Sequence, residues 1–392
     1  MRIAVISPFV DRQHGTERAV AELVDRLAAR YEDEIDLYSQ SVNGVNLKPD
    51  AAAGHGGIAW HRVRSFPGPH LLQFLGWIFL NRRARRRQER TVRKTPDVVF
   101  SPGINALDAD VILVHAIFHR VAELQKSHDH GGLHRLHRKA YYAFLCSLER
   151  RVYTDPQVTL AAVSQHTAEQ LARYFGRKDV TVIPNGVDQD HFSPAAIAPM
   201  RERCRQETKC SPKDFVLLLV GNDWNNKGLK TTLEAFARCK DLPVRLLVVG
   251  HDSQAPFRDD ARRLGFADRV EFLAPVEDVR IFYAAADTLV APSLEDSFNM
   301  PVLEAMSCGL PVVVSSRAGI SDWLTSDRDS VVLEDPESVE TLAHAIRALA
   351  LNPARQNEIS ANALQTAKRF SWDAHASAIR ELMVRASKKN RA

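Results

Sequence analysis

Cysteine is scarce in this sequence of 392 residues. The five cysteines stand at positions 146, 204, 210, 239 and 308, and none of them forms a CxxC pair. An odd number of scattered cysteines predicts reduced thiols in a cytosolic protein rather than a disulfide framework. The longest apolar run, LLQFLGWIFL at 71–80, is about half of the roughly 20 residues that a membrane-spanning helix needs. The opening run MRIAVISPFV is too short for a secretory signal and predicts a first strand.

Two common phosphate-binding signatures are missing as well. The turn SPFVDRQHGTERAV (7–20) has a lone Gly15 before a helix, with Thr16 as its predicted cap, where a dinucleotide fingerprint would read GxGxxG. This absence argues against a dehydrogenase, and the alternative for the turn is a plain strand-to-helix connection. A Walker A sequence, GxxxxGK[ST], is also absent, which argues against an ATPase.

Positive charge is concentrated in the first half of the chain. Residues 1–190 carry 26 Lys and Arg against 21 Asp and Glu, and 11 of the 15 histidines. Eight Lys and Arg lie within 82–94, directly after the apolar run. The stretch 71–94 therefore predicts a helix on an anionic membrane surface, or one that docks a lipid-linked acceptor. The alternative is a buried helix followed by a solvated basic one. Nucleic acid is not the expected partner, because no recognition module accompanies the charge.

A histidine cluster follows in the same half. The segment HDHGGLHRLHR (128–138) places four histidines within ten positions, with no cysteine among them. Structural zinc needs ligands fixed in a tetrahedron, so we expect an exposed loop here rather than a metal site.

Short apolar runs alternate with helical patterns along the whole chain. A polar, charged stretch at about 193–213 interrupts the rhythm and is expected to be irregular. Continuously apolar strands separated by helices predict parallel sheets with both faces covered. The predicted architecture is therefore α/β, with two doubly wound domains at 1–190 and 191–369, and a final helix at 370–392 that packs back on the first domain. The predicted strands are RIAVIS (2–7), DVVF (97–100), VILVH (111–115), TLAAVS (159–164), VTVIP (180–184), FVLLLVG (215–221), VRLLVVG (244–250), VEFLA (270–274), DTLVAPS (287–293) and PVVVSS (311–316).

The first strand after the break leads into a candidate diphosphate site. In LLLVGNDWNNKGLKTTLEAFARC (217–239), Gly221 ends the strand, and Lys227 with Gly228 leads into a helix. An ammonium beside the N–H groups of a helix start suits a diphosphate, because the helix dipole and the point charge act together. The alternative is a solvated loop lysine.

A second candidate site lies in PSLEDSFNMPVLEAMSCGLPVV (292–313). Met300 and Pro301 predict a helix start and Gly309 its end, so the N–H groups of 298–300 become candidate anion donors. Glu304, one turn into the helix, can accept two hydroxyls such as those of a ribose. Asp296, before the turn, can face sugar hydroxyls. The alternative for both acids is ordinary capping of the helix.

Several of these segments together resemble a known family. The segments HGTERAVAELVDRLA (14–28), IPNGVDQDHF (183–192), VGNDWNNKGL (220–229), APSLEDSFNMPVLEAMSCGLPVVVSS (291–316) and FSWDAHA (370–376) resemble the retaining glycosyltransferases of family 4. The resemblance runs through nearly the whole chain in the same motif order. It implies a GT-B fold, in which two Rossmann-like domains bind the donor in the C-terminal half and the acceptor in the N-terminal half, without a metal ion or cofactor.

The resemblance also implies roles for individual residues. The E-x7-E pair of the family falls on Asp296, which would contact the transferred sugar, and on Glu304, which would bind the ribose. Lys227 matches the diphosphate lysine, and Phe298, Asn299 and Met300 would lie along the diphosphate and sugar. Gly15 matches the N-terminal glycine loop, and Gly221 and Asn222 stand at the first C-terminal strand end. His115 sits where the family often has a histidine near the reacting sugar.

Two positions depart from the family pattern. Asp296 is one methylene shorter than the usual glutamate and has Glu295 beside it. Asn222 stands where the family usually has an arginine after the strand-ending glycine.

The expected function is transfer of a sugar from a nucleotide-diphosphate sugar to a glycan or lipid-linked acceptor, as in cell-surface polysaccharide or lipopolysaccharide synthesis. UDP-sugars are mildly preferred over GDP-sugars, with the base near 273–276. The expected location is the cytoplasm or the inner face of a membrane. The alternatives are a nucleotide-sugar-binding protein with little turnover, a sugar-nucleotide epimerase of the same fold, and a polyanion-binding scaffold.

Overall fold

The computed structural model describes residues 1–47, 56–126 and 133–391, so residues 128–132 of the histidine cluster at 128–138, and the side chains of 133–137, lie outside the described part of the chain. The chain divides into two compact units, one made of Met1–Gly186 with Trp372–Ala392 and the other of Val187–Ser371. Each unit contains its own parallel sheet with helices between successive strands. The prediction of two doubly wound α/β domains is confirmed.

The first unit is built on a seven-stranded parallel sheet. Its segment 1–186 contains β1 (Arg2–Ile6), β2 (Phe9–Val10), α1 (Gly15–Tyr31), β3 (Glu34–Ser39), β4 (Ser41–Val42), β5 (Gly57–Arg62), α2 (His70–Val92), β6 (Val98–Pro102), β7 (Val111–Val114), α3 (Phe118–Lys126), α4 (Leu133–Tyr153), β8 (Thr159–Ala162), α5 (Gln165–Phe175) and β9 (Thr181–Val182). The sheet order is β5-β3-β1-β6-β7-β8-β9, while β2 and β4 form a separate pair. Central strands such as β1 and β7 are buried along their full length, as their apolar sequences require.

The second unit is built on a six-stranded parallel sheet. It contains α6 (Pro194–Ile197), α7 (Arg201–Glu207), β10 (Phe215–Val220), α8 (Leu229–Ala237), β11 (Val244–Val249), α9 (Ala255–Leu264), β12 (Val270–Leu273), α10 (Arg280–Ala285), β13 (Thr288–Ala291), α11 (Met300–Ser307), β14 (Val312–Ser315), β15 (Val331–Leu333), α12 (Val339–Ala350) and α13 (Pro353–Ala367). The sheet order is β12-β11-β10-β13-β14-β15. The expectation that 193–213 is irregular is wrong, because α6 and α7 occupy much of it.

Each sheet has one point at which the order of its strands reverses. In the first unit the reversal lies between the paired strands β1 and β6, and in the second between β10 and β13. Ligands of open α/β sheets bind beyond the carboxyl ends of the strands at such a point. In the second unit this rule selects the loops 221–228 and 292–299, which follow β10 and β13.

The last helix, α14 (Trp372–Arg391), belongs to the first unit. Its Asp373 accepts from Arg26 of α1 at 2.7 Å. Its Arg380 donates at 2.7 Å to Asp33, whose fully buried carboxylate also accepts from the N-terminal ammonium. These ion pairs join the end of the chain to its beginning.

The basic stretch forms one continuous helix, α2, so the alternative of a buried helix followed by a separate basic one is wrong. Only a narrow stripe is buried, comprising Trp77, Asn81 and Arg85, and Arg85 donates to Asp108 at 2.6 Å. Within the described part of the chain, no helix combines the length and the apolar character needed to cross a membrane.

Candidate active site

Two loops of the second unit meet at the point where its strand order reverses. The main-chain N–H of Leu294 donates to the carbonyl of Asn226 at 2.7 Å, and the Asn226 side chain donates to the carbonyl of Glu295 at 2.9 Å. The loops 221–228 and 292–299 are thus joined by one main-chain and one side-chain hydrogen bond. The two segments that the sequence singles out as candidate diphosphate and sugar sites are therefore adjacent in the structure.

Lys227 and Asp296 form an ion pair at the centre of these loops. The Lys227 ammonium lies 2.6 Å from Asp296 Oδ2, and both side chains are about 15% exposed. The other carboxylate oxygen, Asp296 Oδ1, accepts the N–H of Phe298 at 3.1 Å. The Phe298 N–H therefore does not point to an open anion site, which corrects the expectation from sequence. The ion pair brings two candidate site residues, 69 positions apart in sequence, into direct contact.

Glycine is needed at two positions of the first loop. Gly228 has φ +74°, and a Cβ there would lie 2.1 Å from the carbonyl oxygen of Pro292. Gly221 has φ +141°, and a Cβ there would lie 2.7 Å from Lys227 Cε. The first glycine allows the two loops to touch, and the second makes room for the lysine side chain above the end of β10.

Helix α11 begins and ends where the sequence predicts. Its N-cap is Asn299, in the left-handed region at φ +74°, and Pro301 stands in the first turn. The chain leaves the helix through Cys308 and Gly309 at φ +75°. The Asn299 side chain donates to Ser293 at 3.2 Å, while its buried Oδ1 has no partner among the described residues. Asn299 and Met300 are both buried at this turn.

Glu304 is buried in α11 and contacts a residue that sequence reasoning missed. The hydroxyl of Tyr283, on α10, donates to Glu304 Oε2 at 2.6 Å. Tyr283 is fully buried and Glu304 is 3% exposed. The pairing is tertiary, so neither segment signals it by itself.

Asn222 has a structural role at the position of the missing arginine. Its Oδ1 accepts the main-chain N–H of His251 at 2.8 Å, which ties the end of β10 to the end of β11. An amide suits this role because it can accept from the backbone without bringing a charge.

In the first unit, Gly15 is the exposed first residue of α1. The N-cap is His14, with no side-chain hydrogen bond to the helix, so the prediction that Thr16 caps it is wrong. Asp11 folds the preceding turn instead, by accepting the N–H groups of Gln13 and His14 at 2.8 and 2.9 Å.

His115 lies directly after β7, and His375 of α14 is close enough to influence it electrostatically. Both ring nitrogens of His115 are buried without a partner among the described residues. Burial, and then the nearby His375 of α14, lower the pKa of His115 to about 3. His375 donates from Nδ1 to the carbonyl of Pro184 at 2.8 Å, and burial lowers its pKa to about 4. Both rings are therefore neutral near pH 7, and His115 can act as a neutral hydrogen-bonding group.

These histidines predict an acid-sensitive fold. We expect the free energy of unfolding to fall as pH is lowered from about 6.5 towards 4, because in this range the two imidazoles bind protons in the unfolded chain but stay neutral in the folded protein. Each ring contributes up to about 1.4 kcal/mol per pH unit to that slope. Denaturant titrations between pH 5 and 7 measure it. His115→Gln should flatten the slope, and the exposed His344→Gln should leave it unchanged. Equal slopes in all three proteins would contradict the assignment.

One further cluster has the composition of a metal site. Ligand atoms of His119, Cys146 and Glu149 lie within 4.8 Å of one another. Glu149 is fully buried and accepts the N–H groups of Phe118 and His119 at 2.6 and 3.0 Å, and His119 Nδ1 at 2.8 Å. The carboxylate therefore caps the first turn of α3 in this structure.

Family models match both units of the chain. Residues 13–191 match the model described as Glycosyltransferase Family 4, and residues 214–352 match that of Glycosyl transferases group 1. The chain belongs to the family 4, group 1 glycosyltransferases. The candidate site of loops 221–228 and 292–299 lies within the group 1 region.

Individual relatives agree with this membership. The chain is 32% identical to D-inositol 3-phosphate glycosyltransferase 2 of Catenulispora acidiphila, over 61% of this chain and 58% of that protein. It spans about three fifths of the length of the curated relatives that it matches first.

Solved structures match over nearly the full length and confirm the GT-B fold. WaaG, a glycosyltransferase involved in lipopolysaccharide biosynthesis, superposes with a TM-score of 0.76 at 20% identity, covering 97% of this chain and 99% of WaaG. Anabaena HepE in complex with UDP-glucose superposes at 0.70 and 20% identity, covering 97% of this chain and 98% of HepE.

Proposed function

We propose that this glycosyltransferase moves a sugar from a nucleotide-diphosphate sugar to a glycan or lipid-linked acceptor, with retention at the anomeric carbon. The observation that carries the proposal is the junction of Lys227, Asp296 and the α11 start at the point where the strand order of the second unit reverses. The same helix carries Glu304, buried against Tyr283. One cation and two carboxylates are thereby held at the edge where α/β sheets bind nucleotides.

The proposed chemistry follows from the charges that develop. The bond between the sugar C1 and the leaving phosphate oxygen breaks, and a bond from C1 to the acceptor oxygen forms on the same face. The acceptor proton passes to the leaving phosphate, which departs as the nucleoside diphosphate. Lys227 stabilises its negative charge, and preorganised stabilisation of this kind is usually the largest catalytic term. Lys227 and the N–H groups at the helix starts take the place of a metal ion, so we expect chelators to leave transfer unchanged.

For His115 and Gly15 of the first unit, the family resemblance supports a hydrogen bond from His115 to the transferred sugar and a phosphate contact at Gly15, and both assignments stay predictions. Asp296 contacts the sugar, and Asn299 and Met300 line the diphosphate and sugar. UDP-glucose is the first donor to try, because HepE, which shares the fold, was crystallised with it.

The first test is calorimetric titration with UDP, GDP, ADP and their common sugars, without added metal. We expect micromolar binding of one nucleotide, and Glu304→Ala should weaken it by about 1–3 kcal/mol through lost hydroxyl contacts. The control is Glu340→Ala, an exposed acid of α12 in the same unit. No binding of any nucleotide well above millimolar concentration would contradict the donor site.

Three outcomes separate this proposal from its rivals. Donor binding without acceptor-dependent nucleotide release would favour a binding protein with little turnover. Epimerisation of the sugar nucleotide without acceptor would favour an epimerase. Affinity controlled by the arginines of α2 rather than by Glu304 would favour a polyanion-binding scaffold.

We further propose that α2 places the enzyme on an anionic membrane surface at the cytoplasmic face. The face opposite its buried stripe exposes Leu72, Leu75 and Phe79 at 47%, 41% and 65% in its first half. The same face continues into Arg83, Arg86 and Arg90, because residues three or four positions apart share one side of a helix. Apolar side chains followed by arginines suit insertion at the headgroup boundary of anionic lipid.

Vesicle sedimentation tests this surface. We expect binding to vesicles with roughly 30 mol% anionic lipid, whose negative surface attracts basic segments, but not to neutral vesicles. The triple change Arg83→Gln, Arg86→Gln and Arg90→Gln should abolish it. A control that removes equal charge from the second unit, at Lys209, Arg238 and Arg263, should bind as the wild type does. Equal losses in both variants would contradict a role for α2.

A further inference from the structure

The buried carboxylate of Glu304 depends on a hydroxyl for its placement. A carboxylate taken out of water costs free energy unless it is hydrogen-bonded. Tyr283 provides such a bond to Glu304 Oε2 at 2.6 Å, from a neighbouring helix rather than from α11 itself. The bond fixes one oxygen of a side chain that has three rotatable bonds, and so fixes the direction of the whole carboxylate.

Tyr283 is in turn held by contacts that lead back to α11. Its ring packs edge-to-face on Phe192, with centroids 5.8 Å apart and planes at 89°. The carbonyl of Phe192 accepts the hydroxyl of Ser307 at 2.6 Å, and Ser307 lies on α11 three residues after Glu304. The two helices are therefore joined by a closed set of four residues. Within this set the tyrosine hydroxyl has little freedom to turn away.

We propose that Tyr283 is a positioning residue that holds Glu304 against the ribose hydroxyls of the nucleotide. The inference rests on the proposed function, because it assigns the support of the ribose contact within that donor site. Two vicinal hydroxyls can bond to a carboxylate only when its plane and distance are right, so loss of the supporting bond acts on ribose recognition. Tyr283 itself touches the carboxylate and not the reacting atoms.

The test compares a ribonucleotide with its deoxy forms. Wild type and Tyr283→Phe are titrated with UDP, 2′-deoxy-UDP and 3′-deoxy-UDP, or with the GDP or ADP series if wild type prefers that base. We expect Tyr283→Phe to weaken UDP binding about tenfold, as for loss of a hydrogen bond to a charged group. Binding of the deoxy form that lacks the recognised hydroxyl should change less than twofold. In a Glu304→Ala background, Tyr283→Phe should also have less than a twofold effect.

The first unit offers a matched control for this substitution. Tyr174 donates to Glu123 Oε2 at 2.6 Å, so Tyr174→Phe removes the same kind of bond from the other unit. This variant should bind every nucleotide as the wild type does. If Tyr283→Phe does not fold, Ser307→Ala tests the same support. It should weaken UDP binding about threefold, and binding of the deoxy form that lacks the recognised hydroxyl should again change less than twofold.

The outcomes separate this inference from the proposed function. If the wild type binds UDP but Tyr283→Phe weakens UDP and both deoxy forms equally, the tyrosine is only structural and the inference is overturned. Unchanged UDP binding by Tyr283→Phe overturns it as well. If the wild type binds none of UDP, GDP and ADP, the proposed function fails together with the inference.

Discussion

Replacing Lys227 with alanine is expected to lower kcat/KM for sugar transfer by about 10²- to 10³-fold, the usual cost of removing one preorganised donor from a developing anion. Lys227 is the cation that the structure holds between the two loops, 2.6 Å from Asp296 and packed over Gly221. In the proposed mechanism, loss of Lys227 removes stabilisation of the leaving diphosphate, and it also leaves the Asp296 carboxylate without that partner. Acceptor-dependent nucleotide release, measured at low donor concentration, reports kcat/KM directly.

The control for this change lies three residues further along. Lys230 is exposed on α8, one turn from Lys227, so Lys230→Ala removes the same charge from the same helix start. We expect less than a twofold effect from it. Comparable losses in the two variants would show that only the general positive field matters. Near-normal transfer by Lys227→Ala would contradict the assigned role of the lysine.

The sequence was informative where strands are buried on both faces. Central strands such as β1, β10 and β13 are continuous apolar runs, because helices cover both sides of a parallel sheet, and all were predicted. The strands that were missed are β3, β5 and β15, which lie at or next to the sheet edges, and the short separate pair β2 and β4. The sequences of β3 and β5 mix polar and apolar residues, and β15 is only three residues long. In β3, for instance, Asp36 is buried only because it pairs with Arg2 and His61, at 2.7 and 2.8 Å.

The candidate site was predictable residue by residue but not contact by contact. Asp296, Lys227 and Glu304 were found from local turn chemistry and from the resemblance, since each sits in a short motif. The side chains that contact them come from other segments, and no local sequence pattern predicts a contact between residues far apart in sequence. Tyr283 supports Glu304 from 21 positions away. His375 reaches the neighbourhood of His115 only because α14 returns to the first unit.

Two unusual residues at the site are explained by these contacts. At 2.6 Å from Lys227, the short side chain of Asp296 can pair with the lysine and still accept the Phe298 N–H two residues on. Side chains of aspartate commonly fold back on the backbone in this way. Asn222 replaces a cation but ties β10 to β11. The site thus carries less positive charge than the family pattern implies, and the ammonium of Lys227 is already paired with Asp296.

The ion pair between Lys227 and Asp296 leads us to expect that one substitution, Asp296→Asn, has opposite effects on nucleotide binding and on turnover. In the proposed mechanism the Asp296 carboxylate contacts the sugar, so Asp296→Asn should lower kcat for transfer about 10²-fold, yet tighten UDP binding about three- to tenfold. The amide still accepts the Phe298 N–H, so the turn is kept, while Lys227 no longer has a carboxylate competing with the diphosphate. Removing one of two close opposite charges at a partly buried site changes the affinity of a competing charged ligand by about three- to tenfold.

Calorimetry with UDP and single-turnover transfer measure the two effects separately. Glu295→Gln removes the neighbouring charge and should change neither quantity by more than twofold. If Glu295→Gln loses more transfer activity than Asp296→Asn, the sugar contact belongs to Glu295. If Asp296→Asn binds UDP more weakly than the wild type, the ion pair stabilises the binding site rather than competing with the diphosphate for Lys227.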